Sequence, residues 1–152
     1  MDKNTQKLLI IGHVWPQPKA SAAGEHMMHL IKLFTDLEYT IHFATAAQQP
    51  ENYTDLKGIT ITATSVEINN DNFDDYIQQL NPDVVLFDRF MVEEQFSWRV
   101  KQHCPQAIRI LDTEDIHFLR KQRQEKLKGK DIQELSDIAK RELASIYLSD
   151  LS

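Results

Sequence analysis

Short uninterrupted apolar runs alternate along this chain with stretches in which apolar positions recur every three or four residues. Leu8, Leu9, Ile10 and Ile11 form one such run ending at Gly12, the pattern of a strand covered on both faces. Pro16 and Pro18 mark the next stretch as a loop, because proline disfavours helix at its own position and at the one before it. From Gly24 the spacing turns helical, with Met27, Leu30, Ile31, Phe34 and Leu37 on one face of a helix ending near Leu37. A second strand is predicted over 40–45, and Gly58 introduces a third over 59–63. Asp71 or Asn72 suits the N-cap of a helix through Leu80, which Pro82 prevents from continuing.

The second half repeats the rhythm. Asp83 leads into Val84, Val85, Leu86 and Phe87, a buried-strand signature with Asp88 and Arg89 at its end. A helix carrying Phe96, Trp98 and Val100 is predicted to reach about His103 before Pro105, and a fifth strand to cover 107–111. Asp112, Thr113, Glu114 and Asp115 follow, then helical segments over 120–124 and 131–148 with a break near Gly129. Strands separated by helix-length segments imply right-handed crossovers and an α/β, Rossmann-like, doubly wound parallel sheet in a three-layer αβα arrangement. After the last helix the rhythm calls for another strand, and Asp150 and Leu151 read as its first residues. The expectation is one domain over 1–152 that belongs to a longer chain; the alternative is a complete five-stranded domain with a terminal helix.

Composition narrows the class. A content of 41% hydrophobic and 26% charged residues fits one globular core, and 4 Gly with 5 Pro leave no low-complexity linker. A net charge of -6 argues against general nucleic-acid binding, which needs a basic footprint. The single cysteine, Cys104, excludes an intramolecular disulfide. A polar start and an apolar run too short for a signal peptide or membrane span point to the cytoplasm.

In such sheets ligands bind beyond the carboxyl ends of the strands, where strand order reverses. That directs attention to the loops over 12–24, 88–92 and 112–117. In the first, Ala20, Ser21, Ala22, Ala23 and Gly24 allow close backbone approach at a helix start, whose free N–H groups favour a diphosphate. The loop is neither the Gly-x-Gly-x-x-Gly of dinucleotide oxidoreductases nor a P-loop. Alternatively, Ser21 is simply a helix cap and Gly24 a packing contact.

Several of these pieces resemble the start of glycosyltransferases of the GT-B fold, especially glycosyltransferase family 4. They are the strand, the Pro-containing loop, small residues with Gly24, and an amphipathic helix opening Glu25-His26. Asn81-Pro82-Asp83-Val84-Val85, the stretch from Ile110 to His117, and the final Glu142-Leu143 to Asp150-Leu151 continue the likeness in order and spacing. The resemblance implies an N-terminal, acceptor-side domain whose partner domain grips a nucleotide-sugar donor. Transfer would occur between the two with retention and without a bound metal or other cofactor, so the 152 residues alone would be inactive. It further implies that Gly24 with Ala23, and Gly12 at the loop's start, approach the donor diphosphate, and that Asp112 and His117 contact the donor sugar. Glu38-Tyr39 departs from the Gly-His or Gly-Tyr that the family often carries before its second strand.

Sugar hydroxyls need carboxylates and amides in fixed geometry, which Asp88, Arg89, Asp112, Glu114 and Asp115 could offer. Asp112, Asp115 and His117 do not have an established metal-ligand spacing. Paired carboxylates leave a hydrolase open in principle. Ser21 with His13 or His26 lacks the context of a nucleophile elbow, and Cys104 reads as structural. Trp15 suits either stacking on a sugar or lipid, or packing over the sheet edge. Arg120, Lys121, Arg123, Lys126, Lys128 and Lys130 against Glu125 give a local excess of five positive charges, read as a solvated face or as a patch for anionic lipid or an acidic acceptor. The rival functions are a free-standing α/β binding or interaction module, and an enzyme of the same fold with another nucleotide ligand.

Overall fold

A computed structural model describes residues 4–17, 22–50, 61–113, 117–129 and 137–152. In chain order the elements are β1 Lys7–Gly12, α1 Ala22–Asp36, β2 Thr40–Thr45, β3 Ile61–Ser65, α2 Asp71–Leu80, β4 Val84–Asp88, α3 Phe90–His103, β5 Ile108–Asp112, α4 His117–Leu127 and α5 Asp137–Leu148. The strands form one sheet in the order β3-β2-β1-β4-β5, and every neighbouring pair is parallel. This is the α/β, Rossmann-like fold that the alternation predicts.

The uninterrupted apolar runs lie where both sheet faces are covered. Leu8 to Ile11 of central β1 are completely buried, and Val84 to Phe87 of β4 nearly so. Alternation sends Leu9, Ile11, Val85 and Phe87 toward the core under α2 and α3. Leu8, Ile10, Val84 and Leu86 face the opposite side with Met27 and Ile31 of α1. Helices on both faces make three layers.

The boundaries show how local chemistry sets them. Helix α2 is capped by Asn70, whose Oδ1 accepts from Asn72 N at 2.9 Å, and not by the neighbouring Asp71 or Asn72. It ends at Asn81 in the left-handed region before Pro82. Helix α1 closes with Glu38 at φ 63°, donating to Thr35 O while Tyr39 N donates to Phe34 O, both at 3.0 Å. The Phe34 and Tyr39 rings meet edge-on at 5.3 Å, completing a Schellman closure in which Glu38 stands where glycine is usual.

Strands β4 and β5 run one residue later than the sequence suggests, so Asp88 and Asp112 end the strands in register with each other. Strand β3 likewise begins at Ile61; predicted positions 59 and 60 lie outside the described residues. Trp98 is half-exposed because two residues along a helix from both Phe96 and Val100 is the opposite face. Helix α4 starts at His117, earlier than predicted, and the chain after it turns at Gly129 with φ 74°. Asp150 and Leu151 lie beside β5, with Leu111 N donating to Leu151 O at 2.8 Å and a parallel bridge from Leu151 to Ile110. Among the described residues, no helix is long and apolar enough to cross a membrane.

Candidate functional site

The strand order reverses between β1 and β4, since β1 leads outward to β2 on one side and β4 returns on the other. A cleft of about 310 Å³ opens at that point, beyond the carboxyl ends of the strands. Its walls are Val14 to Gln17 after β1, Ala23, Gly24 and Met27 of α1, Asp88 and Arg89 at the end of β4, and Ala47, Gln48 and Pro50 after β2.

The β1 loop is held by its aromatic. Trp15 is 7% exposed, its Nε1 donates to Ala47 O at 2.8 Å, and its ring lies 6.2 Å from that of Phe43. It is an anchored wall of the cleft. Gly12 lies behind it. A Cβ there would sit 2.2 Å from Phe43 Cζ, so the missing side chain makes room for the ring that backs Trp15. Ala23 and Gly24 occupy the first turn of α1, with Gly24 buried, and that turn forms one side of the cleft.

The β4 end supplies the charge. Asp88 Oδ2 accepts from His13 N at 3.2 Å, and Asp88 Oδ1 lies 3.6 Å from Arg89 Nε. Arg89 is the N-cap of α3 with φ 79° and ψ 157°, a conformation that costs a non-glycine residue about 1–3 kcal/mol. Its N–H donates to Asp112 O at 2.8 Å, binding the end of β5 to the cleft. Strain of this kind concentrates where a side chain must be aimed.

Asp112 makes a second connection. Its Oδ2 is 2.8 Å from Nε2 of His26, near the start of α1, so a carboxylate with 15% side-chain exposure holds an imidazole with 47%. Sequence reading assigned His26 no role, although it lies three positions after Ala23 and thus on a neighbouring part of the same helix face. The loop after β2 was also missed; its signal was adjacency, since β2 ends at the same sheet edge as β1. His117 begins α4 and does not sit in a loop. Glu114 and Asp115 lie outside the described residues.

Cys104 is buried, and that burial pushes its thiol pKa up. Its Sγ donates to Ile77 O at 3.3 Å, which joins α3 to α2.

The fold is similar to that of the lipopolysaccharide outer core galactosyltransferase WaaB in its apo form. The two share 13% identity with a TM-score of 0.55, over 97% of this chain and 44% of that one. The chain therefore spans less than half the length of that protein. No protein-family model matches the sequence, and no curated protein does.

Proposed function

We propose that this chain is the N-terminal, acceptor-side domain of a glycosyltransferase of the GT-B kind, related to glycosyltransferase family 4. It would transfer a sugar from a nucleotide-sugar donor to a glycan, lipid-linked or other acceptor, with retention. The observation that carries the reading is the cleft at the switch point, walled by Ala23 and Gly24 of the first turn of α1. Backbone N–H groups of a helix start favour a phosphate, and the small residues permit its approach. The fold's likeness to a galactosyltransferase supports the same reading. In it, Gly24 and Ala23 face the donor diphosphate, and Asp112 and His117 are the candidates for contact with the donor sugar.

The cleft's volume lies at the low end of the roughly 300–1,000 Å³ usual for small-molecule sites, enough for one sugar ring and its phosphate. A second domain would supply the rest of the donor site, so the 152 residues alone are expected to turn over no nucleotide sugar. The outer face of α4 adds a peripheral contact with anionic lipid, which would bring a lipid-linked acceptor to the cleft.

A thermal-shift comparison of the purified chain tests the reading. Sugar phosphates and nucleoside diphosphates are expected to raise Tm in a concentration-dependent way, and nicotinamide nucleotides are not. Stabilisation by nicotinamide nucleotides alone would replace the transferase with another enzyme on this fold. Stabilisation by none of them would favour an interaction module.

A further inference from the structure

Helices α3 and α5 leave a groove of about 480 Å³ between them, lined by none of the residues that form the cleft. Its walls are two helical stripes. Glu94, Trp98 and Lys101 recur at four- and three-residue spacing on α3, and Lys140, Ala144 and Leu148 at four-residue spacing on α5. The buried side of the groove is polar and already bonded. Ser97 is 2% exposed and its Oγ accepts from Arg109 Nη1 at 3.1 Å. Ser145 is 1% exposed and its Oγ donates to Phe90 O at 3.3 Å. Arg141 and Glu94 satisfy each other from opposite helices, with Nε to Oε1 and Nη2 to Oε2 both at 2.8 Å.

Two kinds of surface remain open. Trp98 and Leu148 are more than half exposed, although both line a concave site. The Trp98 ring is braced, with Arg99 Cζ 4.6 Å from its centroid. Lys101 and Lys140, one from each wall, have no side-chain hydrogen bond or ion pair among the described residues. The lining holds four basic side chains (Lys101, Arg109, Lys140, Arg141) against Glu93 and Glu94, an excess of positive charge on a chain whose net charge is -6. Burial raises the Glu93 carboxyl pKa and so favours its neutral form, which widens that excess. An inorganic anion would answer the lysines and leave Trp98 and Leu148 in water. An uncharged apolar molecule would do the reverse. A chain with one negative end answers both.

We propose that the groove between α3 and α5 is a binding site for a free single-chain anionic amphiphile, such as a medium-chain carboxylate. The charge of Lys101 and Lys140 holds its head, and its chain lies against Trp98, Ala144 and Leu148. The site is separate from the cleft and does not rest on the transferase reading.

The test is tryptophan fluorescence and calorimetry of the whole chain titrated with octanoate, below its micellar range. The chain has two tryptophans and Trp15 is buried, so a saturable blue shift reports Trp98. Trp98→Leu is expected to remove that shift. Hexanoate is expected to bind about tenfold more weakly than octanoate, as the loss of two buried methylenes requires. Octan-1-ol, octylammonium and acetate at matched ionic strength should each bind at least tenfold more weakly than octanoate, since each lacks the charge or the chain. Replacing Lys101 and Lys140 together with glutamine should weaken octanoate about tenfold and leave octan-1-ol unchanged. Both lysines are exposed, so the fold keeps its core. Ala144→Phe fills the groove from an exposed position and should abolish binding. Overturning results are no saturable shift with octanoate, octylammonium or octan-1-ol binding as tightly as octanoate, or unchanged octanoate affinity in Ala144→Phe. Phosphatidylglycerol vesicles that shift Trp98 equally in the parent and in Ala144→Phe would assign this face to a membrane surface and also overturn the proposal.

Discussion

Gly12 and Phe43 fit together only because the glycine has no side chain: a Cβ at position 12 would lie 2.2 Å from Phe43 Cζ and 2.7 Å from Cε2. Phe43 is itself 1% exposed in the core and touches Trp15, which lines the cleft. Gly12→Ala is therefore expected to force the ring aside and destabilise the chain by about 1–3 kcal/mol, the usual range for overpacking. Denaturant unfolding measures this. The displacement also reaches Trp15, so ligand-induced stabilisation should fall in the same variant even at temperatures where it is folded.

Which parts of this were legible in the sequence follows from what each signal reports. Continuous apolar runs identified β1 and β4 because both faces of those strands are covered, a condition that only apolar side chains satisfy. The same criterion placed the ends of β4 and β5 one residue early, because Asp88 and Asp112 continue the ladder with polar side chains, one lining the cleft and the other paired with His26. The loops after β1 and β4 were found because glycine, proline and charge mark them. The pairing of His26 with Asp112 was not legible, since it depends on strand order β3-β2-β1-β4-β5 bringing the end of β5 near α1. Trp15 left two roles open in the sequence because an aromatic beside prolines carries no sign of whether its ring is covered.

Glu38 occupies the left-handed position that closes α1, at φ 63°. An L-residue there is disfavoured by about 1–2 kcal/mol, partly offset in a glycine variant by the greater freedom of the unfolded chain. Glu38→Gly is expected to stabilise the protein by about 1 kcal/mol, raising the denaturant midpoint without changing the slope. Because Glu38 lies outside the cleft lining, ligand affinity should not change. A fall in stability would show that the Schellman closure is not the resting geometry of this turn.

Glu93 of α3 is 3% exposed, and its carboxyl pKa is raised first by that burial. Hydrogen bonds from Ser145 and Ser97 and the charge of Arg109 pull it partly back. A folded-state pKa above the unfolded value of about 4.5 means the protonated form is the one the fold favours. Its contribution is complete below that value and is lost as pH rises through the raised pKa. Glu93→Gln keeps the hydrogen-bonding shape without the charge, so it should remove this fall and leave the variant at least as stable as the parent near neutral pH. Unfolding free energies measured from pH 4 upward would decide it, and a variant whose stability falls with pH as steeply as the parent's would reject the assignment.

Among the described side chains of helix α4 none is buried, and Arg120, Lys121, Arg123, Lys126 and Lys128 all lie on its exposed surface or the turn after it. Leu127 stands 88% exposed among them. A solvated helix gains nothing from that leucine, whereas a helix lying on an anionic bilayer buries it between lysines whose stems reach the headgroups. Each basic residue near such a surface is worth about 1 kcal/mol. Replacing Lys121, Arg123 and Lys126 together with glutamine is thus expected to weaken binding to phosphatidylglycerol vesicles about a hundredfold at physiological salt. Binding to phosphatidylcholine vesicles should be negligible before and after. Circular dichroism should be unchanged, since none of the three side chains supports the core. Equal sedimentation of parent and variant with anionic vesicles would mean that the charge of α4 only keeps the helix in water, and a lipid-linked acceptor would then have to reach the cleft without help from this face.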